Sequence, residues 1–319
     1  MDTITIGQER MGTYVVECRF TKFGRDTIAS LFDVGRMQVI LTVSPYLGLT
    51  YLFFRLGRGS FGVVTEQRER TTGNLYAVKL LRHEEMRLCD ESDPIEREII
   101  MSTQLRNKNI IRLFQVYHEQ DQTHLVMELA PAGNLATLIR ERGRLDETDA
   151  RTITQQVARG LRFIHKKGIV HRDVKPANIL LLSRAPPQAK VGDLGIARHY
   201  SREGMTVIGT TTFMAPEAFT KNYDAKVDCW SLGSVIFNML AGIRPFKDNE
   251  LVVNWQTKLY NDRRVEPQFD AAPPGSFSGK AKDLIKRTLQ RQPSDRVHMH
   301  EICSHIWVKS PTTSPSFAR

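Results

Sequence analysis

The first part of the chain alternates between short apolar runs and polar turns. β-branched and apolar residues are concentrated over residues 13–20 and 37–43, and again over residues 75–81 and 124–130. Runs of this length and composition predict β-strands. We therefore expect a β-rich region ahead of residue 130.

The apolar spacing then changes to that of amphipathic helices. Over residues 147–165, Ile153, Val157, Leu161 and Ile164 recur at steps of three and four residues, which predicts a helix with one buried face. Further helices are predicted over residues 94–105, 228–241, 278–290 and 298–308. The rest of the chain is therefore expected to be mainly helical.

One run could be read as a membrane span. Residues 37–54 form 18 consecutive positions without a charged side chain, close to the minimum that crosses a bilayer as a helix. Pro45, Gly48 and several hydroxyl side chains interrupt this run, which leads directly into a glycine-rich turn. A strand is therefore the favoured interpretation, and no membrane partner is expected.

The composition is that of a globular protein with a basic surface. Lys and Arg number 45 and Asp and Glu 35, a net charge of +10, but no arginine-rich run or basic strip with interleaved aromatics is visible. No nucleic-acid partner is therefore expected. Cys18, Cys89, Cys229 and Cys303 form no CxxC pair, so a reducing intracellular compartment, cytoplasmic or nuclear, is expected.

A glycine-rich turn lies where the uncharged run ends. Gly57, Gly59 and Gly62 form a G-x-G-x-x-G pattern, which alone is weak because dinucleotide-binding folds use it ahead of a helix. Here β-branched residues follow, so a second strand is predicted. The backbone N–H groups of such a turn can close over phosphates. Lys79 lies on the next predicted strand, where a buried lysine requires an anionic partner.

A short polar loop between apolar runs concentrates several reactive groups. Asp173 can accept a proton from an attacking hydroxyl, Lys175 can offset charge on a transferred phosphate, and Asn178 can hold a metal ion. A purely structural turn would not require these residue types in this order.

This loop, with His171 and Arg172 before Asp173, resembles the H-R-D-x-K-x-x-N catalytic loop of the eukaryotic protein kinases. Other landmarks of the family follow in order and at family spacing: the glycine-rich turn, Lys79, Asp193-Leu194-Gly195 at the D-F-G position, Ala215-Pro216-Glu217, and Arg296 as the expected partner of Glu217. The resemblance implies an α+β, bilobal protein kinase fold, with a small β-rich N-lobe carrying one main helix and a larger α-helical C-lobe. We assign residues 1–48 to an extension of unknown role, 49–308 to the kinase domain and 309–319 to a disordered tail.

By this resemblance the chain is a serine/threonine kinase that transfers the γ-phosphoryl of ATP to protein hydroxyls with Mg²⁺. The implied catalytic residues are Asp173, Lys175, Asn178, Lys79, Glu98 and Thr210. The implied metal ligands are Asn178 and Asp193. The implied ATP-binding residues are Leu56, Gly57, Gly59, Ser60, Gly62, Val64, Ala77, Lys79, Met127, Glu128, Leu129 and Leu180.

The partner of Lys79 has two candidates on the helix predicted over residues 94–105. Glu96 and Glu98 point in nearly opposite directions on a helix, so only one can face the lysine. Family spacing favours Glu98. Ser102 then occupies a position that is usually apolar in the family, which leaves the Glu96 register open.

Two alternatives to an active kinase follow from the same residues. A pseudokinase scaffold would have lost Lys79, Asp173, Asn178 or Asp193, and none is lost. A nucleic-acid or membrane module is suggested only by the net charge. We expect protein substrates and an upstream activating kinase that phosphorylates Thr206.

Substrate preference can also be predicted from the resemblance. The last helix and Trp307 weakly resemble the calcium/calmodulin-dependent kinase group, many of whose members select arginine ahead of the phosphosite. The positions that carry carboxylates in such kinases are here Asn134, Ala177 and Asn238. We therefore expect no requirement for arginine.

Overall fold

The computed structural model describes residues 3–9, 13–19, 39–42, 49–59, 62–69, 72–83, 94–118, 122–194, 197–199, 211–219, 223–246 and 266–310. The chain divides into two compact units. Unit 1 comprises Met1–Ile99 and Leu113–Leu129, and unit 2 comprises Ile100–Arg112 and Ala130–Arg319.

Unit 1 contains two antiparallel sheets. The first has the strand order β1-β2-β3 and consists of β1 (Thr3–Glu9), β2 (Thr13–Arg19) and β3 (Val39–Thr42). The second has the order β4-β5-β6-β8-β7 and consists of β4 (Leu49–Gly59), β5 (Gly62–Glu69), β6 (Leu75–Arg82), β7 (Leu113–His118) and β8 (Gln122–Glu128). Helix α1 (Pro94–Gln104) begins in this unit.

The first sheet contains a strand that the sequence pattern did not predict. Strand β1 has only Ile4 and Ile6 as large apolar residues, and it forms by pairing with β2, where Ile4 lies opposite Cys18 and Ile6 opposite Val16. Residues 37–54 contain β3 and the start of β4, in agreement with the strand interpretation. In the described part of the chain, no helix combines the length and the apolar character that a bilayer crossing requires.

The pleat of β6 turns Lys79 toward the interior of unit 1. Side chains alternate across a strand, so Lys79 shares a face with Ala77 and Leu81, and all three are buried. Leu81 packs with Leu113 and Leu125 in the small core of this unit. The same face that forms the core therefore also holds the buried cation.

Unit 2 is mainly helical, and two short two-stranded sheets, β10–β11 and β9–β12, complete it. Its helices are α2 (Leu135–Arg142), α3 (Glu147–Lys166), α4 (Lys226–Ala241), α5 (Gly279–Thr288), α6 (Met299–Ser304) and α7 (Ile306–Lys309). Its strands are β9 (Ile169–Val170), β10 (Ile179–Arg184), β11 (Pro187–Val191) and β12 (Arg198–His199).

Helix α3 forms as its apolar spacing predicts. The carboxylate of Asp146 caps its first turn by accepting hydrogen bonds from the backbone N–H groups of Thr148 and Asp149. The four residues of the predicted face are fully buried: Ile153, Val157, Leu161 and Ile164. Helix α4, in contrast, is apolar nearly all round and is buried almost throughout its length.

The single helix predicted over residues 298–308 is wrong. The structure has two helices, because His305 is extended (φ −60°, ψ 141°) and ends α6. Its Nδ1 accepts a hydrogen bond from the backbone N–H of Trp307, and its Nε2 lies 2.9 Å from Asp283 Oδ2. The histidine thus caps a new helix instead of continuing the old one.

Candidate active site

The polar loop after β9 is held between buried apolar residues. Ile169 and Val170 of β9 precede it, and a short 3₁₀ turn at Pro176–Asn178 leads from it into β10. His171, Arg172, Asp173 and Asn178 are all buried although they are polar. Buried polar groups of this density require defined hydrogen-bond partners, which fixes their orientation.

Asp173 is the centre of these contacts. Its Oδ2 lies 2.7 Å from Lys175 Nζ. The amide nitrogen of Asn178 donates to the same Oδ2 and to the Asp173 backbone carbonyl, each at 2.9 Å. One carboxylate is therefore oriented by a cation and an amide, and the predicted trio forms one cluster within unit 2.

His171 connects this loop to the segment after β11. The Asp173 backbone N–H donates to His171 Nδ1 at 3.2 Å, which makes that nitrogen an acceptor. The other nitrogen, Nε2, therefore carries the proton and donates to the Gly192 carbonyl at 3.0 Å. Because Gly192 directly precedes Asp193, His171 links the loop that carries Asp173 to the segment that carries Asp193.

Asp228, in the first turn of α4, holds the polar loop after β9 in place. Its carboxylate is fully buried and accepts hydrogen bonds from the backbone N–H groups of His171 and Arg172, both at 2.9 Å. His165 Nε2 lies 2.7 Å from the same carboxylate. Burial alone would raise the pKa of Asp228, but the hydrogen bond and charge of His165, with the hydrogen bond from the His171 backbone, hold it below its ordinary value.

Two residues of the site have a backbone conformation that is unusual for side chains with a Cβ. Arg172 has φ 69° and Asp193 has φ 54°. Such values store strain unless neighbouring contacts impose them. The carboxylate of Asp228 supplies that restraint at Arg172. Leu194, at the second position of the D-F-G motif, is buried in the core of unit 2.

In unit 1, Lys79 is paired with Glu98. The Nζ–Oε1 distance is 2.6 Å, and each side chain is 3% exposed. Glu96 is exposed to solvent, so the structure has the Glu98 register. Ser102 is half-buried.

The other ATP-binding positions predicted in unit 1 lie on the five-stranded sheet. Ala77 is buried opposite Met127 of β8, and Val64 of β5 is half-buried opposite Lys79. Glu128 ends β8 and Leu129 directly follows it, and both are half-buried. Leu180 of β10 is a half-buried residue of unit 2. Leu56, Gly57 and Gly59 lie on β4 and Gly62 begins β5, where Gly59 pairs with Gly62. Ser60, Thr206 and Thr210 lie outside the described residues.

The predicted partner of Glu217 is also present. Arg296 donates through both terminal nitrogens to the Glu217 carboxylate, with an Nη2–Oε2 distance of 3.0 Å. The guanidinium carbon lies 5.1 Å from the centre of the Trp230 ring. A fully buried arginine is thereby neutralised and stacked within unit 2.

Neither Asp228 nor His165 was predicted from the sequence as a residue of the site. A carboxylate in the first turn of an otherwise apolar helix was a signal, because a buried charge requires partners. The sequence does not indicate which loop supplies them.

Comparison with known proteins identifies a matching family and several relatives. Residues 52–308 match the protein kinase domain family. The chain is similar to human serine/threonine-protein kinase DCLK3 (34% identity over 260 residues, 80% of this chain and 39% of that protein). It is similar to Aurora kinase from Schizosaccharomyces pombe (33% identity over 265 residues, 82% of this chain and 72% of that protein).

A third relative is calcium-dependent protein kinase 4 of Plasmodium falciparum, with 32% identity over 263 residues, 81% of this chain and 49% of that protein. The chain thus spans half or less of the length of DCLK3 and of this calcium-dependent kinase. The expected α+β kinase fold, with a β-rich unit and a larger helical unit, is confirmed. The chain therefore belongs to the eukaryotic protein kinase family.

Proposed function

We propose that this chain transfers the γ-phosphoryl group of ATP to serine and threonine hydroxyls of proteins. One observation carries the proposal. The Asp173 carboxylate is buried, and Lys175 and Asn178 orient it at 2.7 and 2.9 Å. A carboxylate, a cation and an amide in this arrangement suit the transfer of a charged phosphoryl group to a hydroxyl, where positioning and charge compensation supply most of the catalysis.

In the proposed reaction Asp173 orients the acceptor hydroxyl and accepts its proton as the new O–P bond forms and the bond to the leaving ADP breaks. Lys175 offsets the negative charge on the transferred group. His171 and Asp228 do not touch the reacting atoms. They hold the loop through the hydrogen bonds at Gly192, His171 and Arg172, so that Asp173 needs little reorganisation.

The donor set fits Mg²⁺. Asn178 uses its amide nitrogen on Asp173, so its amide oxygen is the group left to hold a cation, and Asp193 adds a carboxylate. Hard oxygen donors of this kind are those that Mg²⁺ prefers. When bound, the ion would offset the negative charge of the phosphate groups.

In unit 1, we assign phosphate contacts to Lys79 and to the backbone N–H groups between Gly57 and Gly62. Glu98 holds Lys79 in place at 2.6 Å. The adenine would lie against Leu56, Val64 and Ala77. The Glu128 carbonyl and the Leu129 backbone would contact the edge of the base, and Met127 lies beside them on β8.

We propose that phosphorylation of Thr206 by an upstream kinase activates the enzyme, and that Thr210 contacts the catalytic set. The support is Arg172, a buried cation directly before Asp173, whose Nη1 is 3.4 Å from the Tyr223 hydroxyl. A phosphate would supply charge and strong acceptors to this guanidinium.

The activity can be tested by incubating the full chain with ATP and Mg²⁺ and a peptide library, then locating the phosphorylated residues by mass spectrometry. We expect transfer to threonine and serine, with complete loss when EDTA is added. An Asp193→Asn variant should behave as the EDTA sample does. Transfer that persists without a divalent ion would refute the proposed mechanism.

A further inference from the structure

Helix α3 changes in charge along its length. Both of its acidic residues, Glu147 and Asp149, lie in its first turn, and residues 150–166 contain no Asp or Glu. Arg159, Arg162 and Lys166 are exposed on the opposite side of the helix from its buried face. At 100° per residue they fall within about 60° of arc, and they extend over about 10 Å of the helix axis. We refer to these three residues as the basic stripe.

The described surroundings supply no acidic partner to the basic stripe. Across the ranges that the structure describes, none of its three residues forms an ion pair. Strand β11 and helix α7, which pack against α3, contain no Asp or Glu. Helix α6 contributes Glu301, whose carboxylate accepts a hydrogen bond from the His298 backbone N–H at 2.7 Å.

Helix α6 packs against α3 and carries Cys303, which is half-buried. Burial raises the pKa of the Cys303 thiol, while the positive charges of Arg162 and Arg159 oppose that rise. The electrostatic influence of both arginines therefore reaches the same residue of α6.

Helix stability does not explain the basic stripe. Lys166 lies in the last turn of α3, where a cation interacts favourably with the helix dipole. Arg159 and Arg162 lie before that turn. Like charges three and four residues apart repel one another and destabilise a helix, so this spacing is unfavourable unless an anion binds.

We propose that the basic stripe docks an acidic, extended segment of a protein substrate, an inference that rests on the proposed kinase function. Steps of three and four residues along α3 correspond to about 4.5 and 6 Å. Alternate side chains of an extended peptide recur about every 6.6 Å, so long Arg and Lys side chains can meet successive carboxylates on one edge of it.

The basic stripe suits a peptide better than a nucleic acid. Single-stranded nucleic acids bind where aromatic side chains stack on bases. The nearest aromatic residue of α3, Phe163, is half-buried and packs against the core. Three cations would also neutralise few phosphates. A docked substrate, in contrast, gains local concentration at the enzyme even when the docking contact is weak.

Binding can be measured without phosphoryl transfer. A fluorescent peptide with Glu at alternate positions is titrated with the full chain at low salt, and its anisotropy is followed. The test variant carries Arg159→Gln and Arg162→Gln. The control carries Arg106→Gln and Lys280→Gln, which removes the same net charge from exposed residues elsewhere in unit 2.

We expect the test variant to bind the peptide about tenfold more weakly than the wild type, equivalent to about 1.4 kcal/mol, and the control to bind as the wild type does. If both variants lose the same affinity for the peptide, binding depends only on net charge and the proposal is overturned. Unchanged binding by the test variant would overturn it as well. Stronger retention of single-stranded DNA or of vesicles containing phosphatidylserine through the same arginines would assign the basic stripe to another partner.

A kinetic experiment separates this inference from the proposed function. A short threonine peptide is compared with the same peptide joined to the acidic segment by a flexible linker. We expect the joined peptide to have a lower KM, this advantage to be lost in the test variant, and kcat for the short peptide to be unchanged. If neither peptide is phosphorylated, the proposed function fails while the binding result still decides the docking role.

Discussion

The Asp228 carboxylate accepts a hydrogen bond from the backbone N–H of Arg172 at 2.9 Å, and Arg172 has the left-handed φ of 69°. An anion that is itself fully buried thus restrains a strained residue directly before Asp173. The orientation of the proposed catalytic carboxylate therefore depends on a residue 55 positions later in the chain.

Replacing Asp228 by Asn should disable the catalytic loop. The amide cannot accept the three hydrogen bonds of the carboxylate, and we expect a loss of about 3 kcal/mol in the free energy of unfolding together with most of the activity. Asp283→Asn is the matched control, because Asp283 also accepts from a histidine, at 2.9 Å, but lies at the surface. It should cost less than about 1 kcal/mol. If urea titrations show that Asp228→Asn and Asp283→Asn are equally destabilised, Asp228 does not have the anchoring role described.

The same carboxylate predicts a dependence of stability on acid. Its pKa in the folded state lies below the ordinary value of 3.8, so its contribution is complete above that value and is lost as pH falls toward the lower, folded pKa. The difference in unfolding free energy between wild type and Asp228→Asn should therefore be constant near neutral pH and shrink below about pH 4. A difference that grows on acidification would show that the carboxylate is not stabilised by folding.

Glu98 and Glu96 give a direct test of the helix register in unit 1. Glu98→Gln removes the anion 2.6 Å from Lys79 and should lower kcat/KM by about a hundredfold through misplacement of the lysine. Glu96→Gln removes the same charge from an exposed side chain two residues away. It should leave kcat/KM within about twofold of the wild type, because surface substitutions usually have small effects. Reversed effects in steady-state assays would assign the pair to Glu96.

Thr206→Ala should prevent activation by phosphorylation. The expected loss is about tenfold or more, the equivalent of one charge-assisted hydrogen bond to Arg172. Activity is compared before and after phosphatase treatment, with Thr212→Ala as the control. If phosphatase treatment leaves the wild-type rate unchanged, the proposed activation is refuted.

Arginine ahead of the phosphosite should not improve a peptide substrate. Asn134 uses its side-chain oxygen to cap α2 through the Thr137 N–H at 3.0 Å, and Asn238 donates to the Ile243 carbonyl at 3.1 Å. Neither offers the carboxylate that a guanidinium requires for a bidentate contact. Two threonine peptides, with Arg or Ala two and three residues before the acceptor, should have similar kcat/KM. A tenfold preference for the arginine peptide, or more, would refute this.

The sequence predicted the features that depend on local pattern or on the motifs shared with the kinase family. The buried face of α3 follows from the spacing of Ile153 to Ile164, and the family resemblance identified Glu98 and Arg296 as the partners of Lys79 and Glu217. Distant contacts outside those motifs were not predicted. Strand β1 exists through its pairing with β2, and the break at His305 depends on its contact with Asp283.

The hydrogen bonds by which Asp228 holds the catalytic loop were not predicted for the same reason. Its place in the first turn of α4 was visible, but the backbone groups it binds belong to a loop that only the folded chain brings close. The positive φ of Arg172 could not be predicted from the residue type either, because glycine is the residue that usually adopts a positive φ.

Phosphoryl transfer by an Asp173→Asn variant tests most directly whether Asp173 orients the acceptor hydroxyl and accepts its proton. The full chain is given ATP, Mg²⁺ and a threonine peptide, and both transfer and ATP affinity are measured. Asp270→Asn, at an exposed position of unit 2, is the matched control. We predict that Asp173→Asn lowers kcat by at least about a hundredfold while ATP affinity and folding stay at the level of the control. Wild-type turnover by Asp173→Asn, or no transfer by the wild-type chain phosphorylated on Thr206, would contradict it.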